Sequence, residues 1–195
     1  MANGRVITGF SKPYVALYTE SGGTVTYSSG QALARGVGVS IEPDTGTDNK
    51  FYADNIVAED AGSVFTSGTA TITVDGLKEA ARKLLFGLST ADSSGWVHYG
   101  NTQEAPYVGF GCVVRYMEEG TTTYEPLMLP KIKFNPASTE ANTQEEDIDF
   151  QTQELTAAIF RDDTAGQDWK LEATAQSSEL LAENMIKVKF GMSTT

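Results

Sequence analysis

Hydrophobic positions along the chain alternate with polar ones more often than they cluster at helical spacing. Thr69–Val74 reads Thr-Ala-Thr-Ile-Thr-Val, which places Ala70, Ile72 and Val74 on one face of a strand. Tyr14–Tyr18 and Thr24–Tyr27 flank Gly22–Gly23, the pattern of a hairpin. Pro106–Met117 and Thr121–Leu129 form a second pair across Glu118–Gly120. Leu127–Phe134 carries the apolar run onward. Pro130 inside it predicts an edge, a bulge or a strand break, because proline has no N–H to give a ladder. Leu155–Phe160 and Trp169–Ala173 bracket Asp162–Gln167, a turn-rich connector. Eight to ten strands are predicted.

Two stretches depart from the period of two. Leu77, Ala80, Ala81, Leu84 and Leu85 fall on one helical face, and Lys78, Arg82 and Lys83 on the other. With Asp75 as N-cap and Gly87 as the stop, a helix is predicted at about 76–86, packing its leucines on a sheet. A second helix is predicted over Glu179–Ile186, capped by Ser177 or Ser178. No repeat recurs at the scale of roughly 20 to 50 residues.

Composition agrees with the alternation. The 195 residues are rich in threonine, with 19 glycines and many β-branched and aromatic side chains. These suit pleated, half-buried surfaces, so the expected class is mainly β, as one domain over residues 1–195. No run reaches the roughly 18 to 20 apolar residues of a membrane span. The opening Met-Ala-Asn-Gly-Arg-Val-Ile-Thr-Gly-Phe has no apolar signal core, so folding in a cytoplasm is expected.

Charge adds a second pattern. The formal net charge is −12. All of that excess lies in two segments. Residues 42–60 hold Glu42, Asp44, Asp48, Asp54, Glu59 and Asp60 against Lys50 alone, and residues 140–163 hold Glu140, Glu145, Glu146, Asp147, Asp149, Glu154, Asp162 and Asp163 against Arg161 alone. Such segments are either solvated loops or faces turned toward something anionic that must not adhere. A chain this acidic repels free nucleic acid and anionic membrane.

Candidate chemistry is sparse. One cysteine, Cys112, and one histidine, His98, exclude an internal disulfide, a cysteine zinc cage and a two-histidine metal site. Cys112 in Gly-Phe-Gly-Cys-Val-Val reads as a small buried hydrophobe. His98, between Trp96 and Tyr99, reads as a structural or surface-loop residue. Asp44–Lys50 resembles a calcium loop superficially, but Gly46 stands at the third position and Asn55 at the twelfth, where oxygen ligands and a glutamate are needed. Gly36-Val-Gly38 and Gly109-Phe-Gly111 lack the rest of a phosphate-binding loop, so bulges or close sheet packing account for them. No spacing marks a nucleophile with its base or a protonated acid. The expectation is a chain with no catalytic, cofactor or metal site.

Several segments in order carry a family resemblance. They are Lys50-Phe-Tyr-Ala-Asp-Asn55, Ser67–Val74 running into Asp75–Gly87, Pro106-Tyr-Val-Gly-Phe-Gly111, Leu129-Pro-Lys-Ile-Lys-Phe134, and Asp149-Phe-Gln-Thr-Gln-Glu-Leu155 followed by Trp169. Through most of residues 1–175 the chain resembles the major tail protein (tail tube protein) family of long-tailed, non-contractile bacteriophages. That resemblance implies a β-sandwich or barrel-like tail-tube fold with a flanking helix. It implies hexameric rings stacked into a hollow tube, the conduit for DNA ejection into the host. It implies no catalysis and no cofactor, a place in the virion after assembly in the bacterial cytoplasm, and no membrane partner. The implied partners are further copies of the chain, a tape-measure protein, chaperones, and the tail terminator and tail-tip proteins.

Under this resemblance residues 1–12 are expected to be an N-terminal arm. Segment 42–66, with Asp44, Asp48, Lys50, Phe51, Tyr52 and Asp54, is expected to be a long inter-ring loop. Some of the acids in Glu140–Glu154, with Glu140, Glu145, Glu146, Asp147 and Asp149 as candidates, or some in Glu42–Asp60, are expected to line the lumen. DNA carries about one charge per 1.7 Å, and an acidic wall repels it within a Debye length of about 8 to 10 Å. Related alternatives are the tube of a contractile tail, of a bacteriocin-like particle or of a type VI secretion system. A different class is a carbohydrate-binding β-sandwich of a phage baseplate, with Trp96, His98 and Tyr99 stacking on sugar. A hydrolase on a β scaffold lacks a signature here.

Overall fold

A computed structural model describes residues 4–46, 49–53, 56–61, 64–101, 103–136, 138, 139, 143 and 151–194, with the backbone path alone at 49–53 and 56–61. These residues form β1 (Val6–Ser21), β2 (Thr24–Ala32), β3 (Gly36–Thr45), β4 (Asn49–Ala53), β5 (Ile56–Ala61) and β6 (Phe65–Val74). There follow α1 (Glu79–Phe86), β7 (Val108–Glu118), β8 (Thr121–Phe134), β9 (Gln153–Phe160), β10 (Leu171–Glu172) and α2 (Glu179–Lys189). The chain is mainly β, as its composition predicts. Eight strands make one antiparallel sheet in the order β2-β1-β7-β8-β9-β6-β3, with β10 added to β8. β4 and β5 pair with each other in a separate two-stranded ribbon.

The sheet bends round on itself, in sandwich-like fashion. Val15, Ile72, Phe110, Leu129, Leu155 and Ile159, from five strands, share one interior with Ala81, Leu85 and Phe86 of α1. Phe10 of β1 lies against Gly36 of β3 so closely that a Cβ on Gly36 would stand 2.2 Å from its ring. On the outer face of the same strands, Tyr14, Ala16, Val113 and Met128 pack with Ala182, Ile186 and Phe190 of α2 and its end. β1, β7 and β8 are therefore covered on both faces. This explains why Val108–Val114 reads as a continuous apolar run: every position in it is buried.

The two-glycine hairpin turn is confirmed, with Gly22 and Gly23 both in the left-handed region at φ 60° and 78°. Pro130 does not break its strand. Phe110 pairs with Leu129 and Val108 with Ile132, so Gly109 faces both Pro130 and Lys131 across a bulge. On the other side, β10 takes Leu127 and Met128, and β9 begins at Lys131. Pro130 falls between these two partners, where a missing N–H costs no ladder bond.

Three expectations are corrected. Asp75 does not cap α1. Its carboxylate accepts from the Arg35 backbone N–H at 2.9 Å and pairs with the guanidinium at 2.5 Å, so the connector after β2 has claimed it. The helix starts later, at Glu79, behind Lys78, which makes no capping side-chain bond; Gly87 does end it, at φ 61°. Residues 6–12, expected within an arm, are the first half of β1 and pair with β7 from Val6–Met117 to Ser11–Val113. Segment 42–66 is not a loop throughout. It comprises the end of β3, the β4–β5 ribbon and the start of β6.

Three of the four paired glycines, Gly36, Gly109 and Gly111, act through close approach. A Cβ on Gly109 would stand 2.5 Å from the Tyr27 ring and 2.8 Å from the Phe190 ring, and one on Gly111 would stand 2.6 Å from Ile186 Cγ2. Gly109→Ala is expected to destabilise the fold by about 1 to 3 kcal/mol, because the two rings it meets are themselves packed. The urea midpoint should fall with an unchanged slope. Gly38→Ala, whose nearest neighbour is Thr73 at 4.0 Å, should stay within about 0.5 kcal/mol of the parent.

Candidate assembly surface

A sheet's borders are its reactive rims, and here they differ. β2, at one border, reads Thr-Val-Thr-Tyr-Ser-Ser-Gly-Gln-Ala, without a charge or a proline to discourage pairing. β3, at the other, carries Glu42, Pro43 and Asp44 near its end. Asp44 stands at the root of the ribbon: the Thr66 hydroxyl donates to its carbonyl at 3.1 Å and the Ser67 hydroxyl to its carboxylate at 3.4 Å. Beyond it, Lys50, Phe51 and Tyr52 lie in β4 at the backbone register of Asp60, Glu59 and Val57. Asp48 and Asp54 lie outside the described residues, as do Glu140, Glu145, Glu146, Asp147 and Asp149.

α2 carries the cap its sequence predicts, and it is seated on the outer face through further polar contacts that its sequence pattern did not reveal. The Ser178 hydroxyl oxygen accepts from the Leu181 N–H at 3.3 Å, a true N-cap. The Ser11 hydroxyl donates to Glu179. Glu183 is buried, yet it accepts from the Tyr14 hydroxyl at 2.5 Å and pairs with Lys187 at 2.8 Å and Lys12 at 3.2 Å. Lys12 reaches it from a bulge in β1 with φ at 53°, a conformation lysine rarely adopts. Burial pushes the Glu183 carboxyl up, but the hydrogen bonds from Lys187, Tyr14 and Lys12 outweigh it and hold the group at about 2. Burial, reinforced by that carboxylate, pushes the Tyr14 hydroxyl above its ordinary value. The Glu183–Lys187 spacing was the one available signal for this cluster.

The loop before β7 presents aromatics to solvent. The Asp92 carboxylate accepts from the N–H of Ser94 at 2.8 Å and of Trp96 at 3.0 Å, and lies 2.9 Å from His98 Nε2. The hydrogen bond from His98, with those backbone donors, holds Asp92 below the usual carboxylate range. Trp96 is 71% exposed on this braced loop, and Tyr99 is exposed beside it.

The remaining candidates are structural. Cys112 is fully buried, and burial pushes its thiol up to about 12, far from a nucleophile's range. Asp162 Oδ1 accepts from the Thr164 hydroxyl at 2.7 Å and from the Asp168 N–H at 2.9 Å, which closes the connector as a hairpin loop. Among the described residues no group of three or more His, Cys, Asp or Glu side chains could hold a metal ion. No described helix is long and apolar enough to cross a membrane. Comparison with protein-family models gives no match, and comparison with curated proteins gives none either.

Glu183→Gln is expected to cost about 2 to 3 kcal/mol at pH 7, since it removes a charged acceptor from the largely covered Lys187, from the exposed Lys12 and from the Tyr14 hydroxyl. Because the folded carboxyl sits at about 2 against an ordinary 4.5, the stabilisation is fully present above pH 4.5 and is lost as the pH falls toward 2. Urea unfolding of parent and variant at a series of pH values checks this. The difference between them should shrink across that window.

Proposed function

We propose that the chain is a structural virion protein that assembles into stacked hexameric rings, forming the tail tube of a long-tailed phage. The β4–β5 ribbon carries this reading. Among the described residues its two strands pair only with each other, in a sheet separate from the main one, and an isolated two-stranded hairpin is marginal in water. A neighbouring copy that covers the ribbon supplies the missing support, which is the role of an inter-ring arm. The uncharged β2 border supports lateral joining, where sheet edges become ring contacts and closure limits growth in that plane. The two acidic segments fit a conduit that DNA crosses without binding, with a tape-measure protein, a terminator and tail-tip proteins as partners.

A second reading rests on the braced Trp96 loop: a carbohydrate-binding β module of a phage baseplate, with Trp96 and Tyr99 stacking on a sugar ring. Quenching of tryptophan fluorescence by oligosaccharides, abolished in Trp96→Ala, would support it, and a discrete oligomer that never polymerises would accompany it.

Negative-stain microscopy of the concentrated protein tests the first reading. Stacked rings or tubes are expected, and compact particles that never stack would overturn it. Replacing residues 47–62 by a short Gly-Ser turn should abolish stacking while leaving the thermal midpoint within a few degrees. Collapse of the fold in that variant would make the ribbon part of the core instead. Neutralising Glu140, Glu145, Glu146, Asp147 and Asp149 to their amides should slow DNA ejection without preventing assembly; unchanged ejection would mean that they do not line the bore.

A further inference from the structure

α2 has two apolar stripes, and among the described residues only one is buried within the protomer. Ala182, Ile186 and Phe190 face inward. Leu181, Met185 and Val188 follow one another at helical spacing on the outside, with Val188 65% exposed. A helix apolar on two sides is normally covered on both. Beside Met185 runs a groove of about 240 Å³ walled by Pro126, Met128, Leu171, Ala173 and Ile186. Its rim carries Lys189 and Glu172, and Glu172 is already paired with Lys170 at 2.6 Å. Lys189 therefore gives the rim a positive balance.

The complementary shape lies elsewhere on the same chain. β10 and the Gln176 bridge cover β8 only between Tyr124 and Met128. The hairpin end, Thr121–Thr123 with its partners on β7 and β1, lies beyond the stretch of β8 that β10 and Gln176 pair with. Val6 and Met117 are direct cross-strand partners on this hairpin end, 62% and 38% exposed. The adjoining turn carries Glu118 and Glu119. An apolar pair with an acidic tip thus stands at one place, and an apolar groove with a basic rim at another. Neither covers the other within the protomer.

We propose that the β7–β8 hairpin tip of one copy docks into the α2 groove of a second copy, Met117 and Val6 entering the groove and Glu118 facing Lys189. The two patches differ, so the contact is head to tail: each copy that uses its tip leaves its own groove open for the next. This rests on the self-assembling reading above and names one pair of surfaces that joins the copies.

Separate Met117→Cys and Met185→Cys variants test it, since the native Cys112 is fully buried. Under mild oxidation, a disulfide-linked dimer is expected only when the two are mixed, and a variant carrying both changes should give a ladder of longer species. Glu118→Lys should weaken association about tenfold in sedimentation, and adding Lys189→Glu should restore it. Absence of a mixture-specific dimer, or failure of the second charge change to rescue the first, overturns the contact. Tubes that form without the cross-link sink this contact but leave the tube reading standing. Cross-linked ladders without tubes do the reverse. A chain that stays monomeric at its solubility limit overturns both.

Discussion

The approach of α2 to the backbone of β7 sets the arrangement of everything on the outer face. Two bare positions, Gly109 and Gly111, let Phe190 and Ile186 come within a distance that no side chain there would allow. The central strands thereby lose their wet face, and three of them become interior on both sides. Antiparallel sheets commonly keep one solvated face. This one gives it up over α2 and turns its opposite face into the main core. The bulge at Gly109 and Pro130 lies at the same place, so the local kink and the close packing are one feature of the backbone.

Apolar packing alone would let a short helix slide or rotate. The buried cluster of Glu183 with Tyr14, Lys12 and Lys187 prevents this by giving the helix one satisfied orientation. Buried ion pairs contribute little net stability, because desolvation offsets much of their attraction. Their value here is positional. They decide which stripe of α2 faces inward and therefore which stripe is offered to solvent. The left-handed backbone at Lys12 shows that β1 departs from regular strand geometry where it supplies this contact.

Local rules were legible in the sequence and long-range competition was not. Alternation located the two hairpins, helical spacing located both helices, and the apolar surroundings of Cys112 announced its burial. Asp75 misled because its local context reads as a cap, while its actual partner, Arg35, is 40 residues away. Pro130 marks an anomaly in the sequence for which a bulge is one expected outcome; the continuity of β8 through it depends on where β9 and β10 begin and end. The polar composition of residues 42–66 suggested a loop, although β3 and β6 extend into it at both ends. Of the candidate assembly surface, the acidic segments were visible as charge runs. The second stripe of α2 and the buried Glu183 were not, since both depend on which way the helix is turned.

The thiol of Cys112 is sealed beneath both layers of the molecule and held almost wholly protonated at neutral pH. Alkylating reagents can therefore reach it only when the interior opens. Its labelling rate serves as a built-in clock for that opening, in the free subunit and in any assembled form, with no foreign probe added. Oxidants meet the same barrier, so this lone thiol forms no cross-link between copies while the fold stays closed.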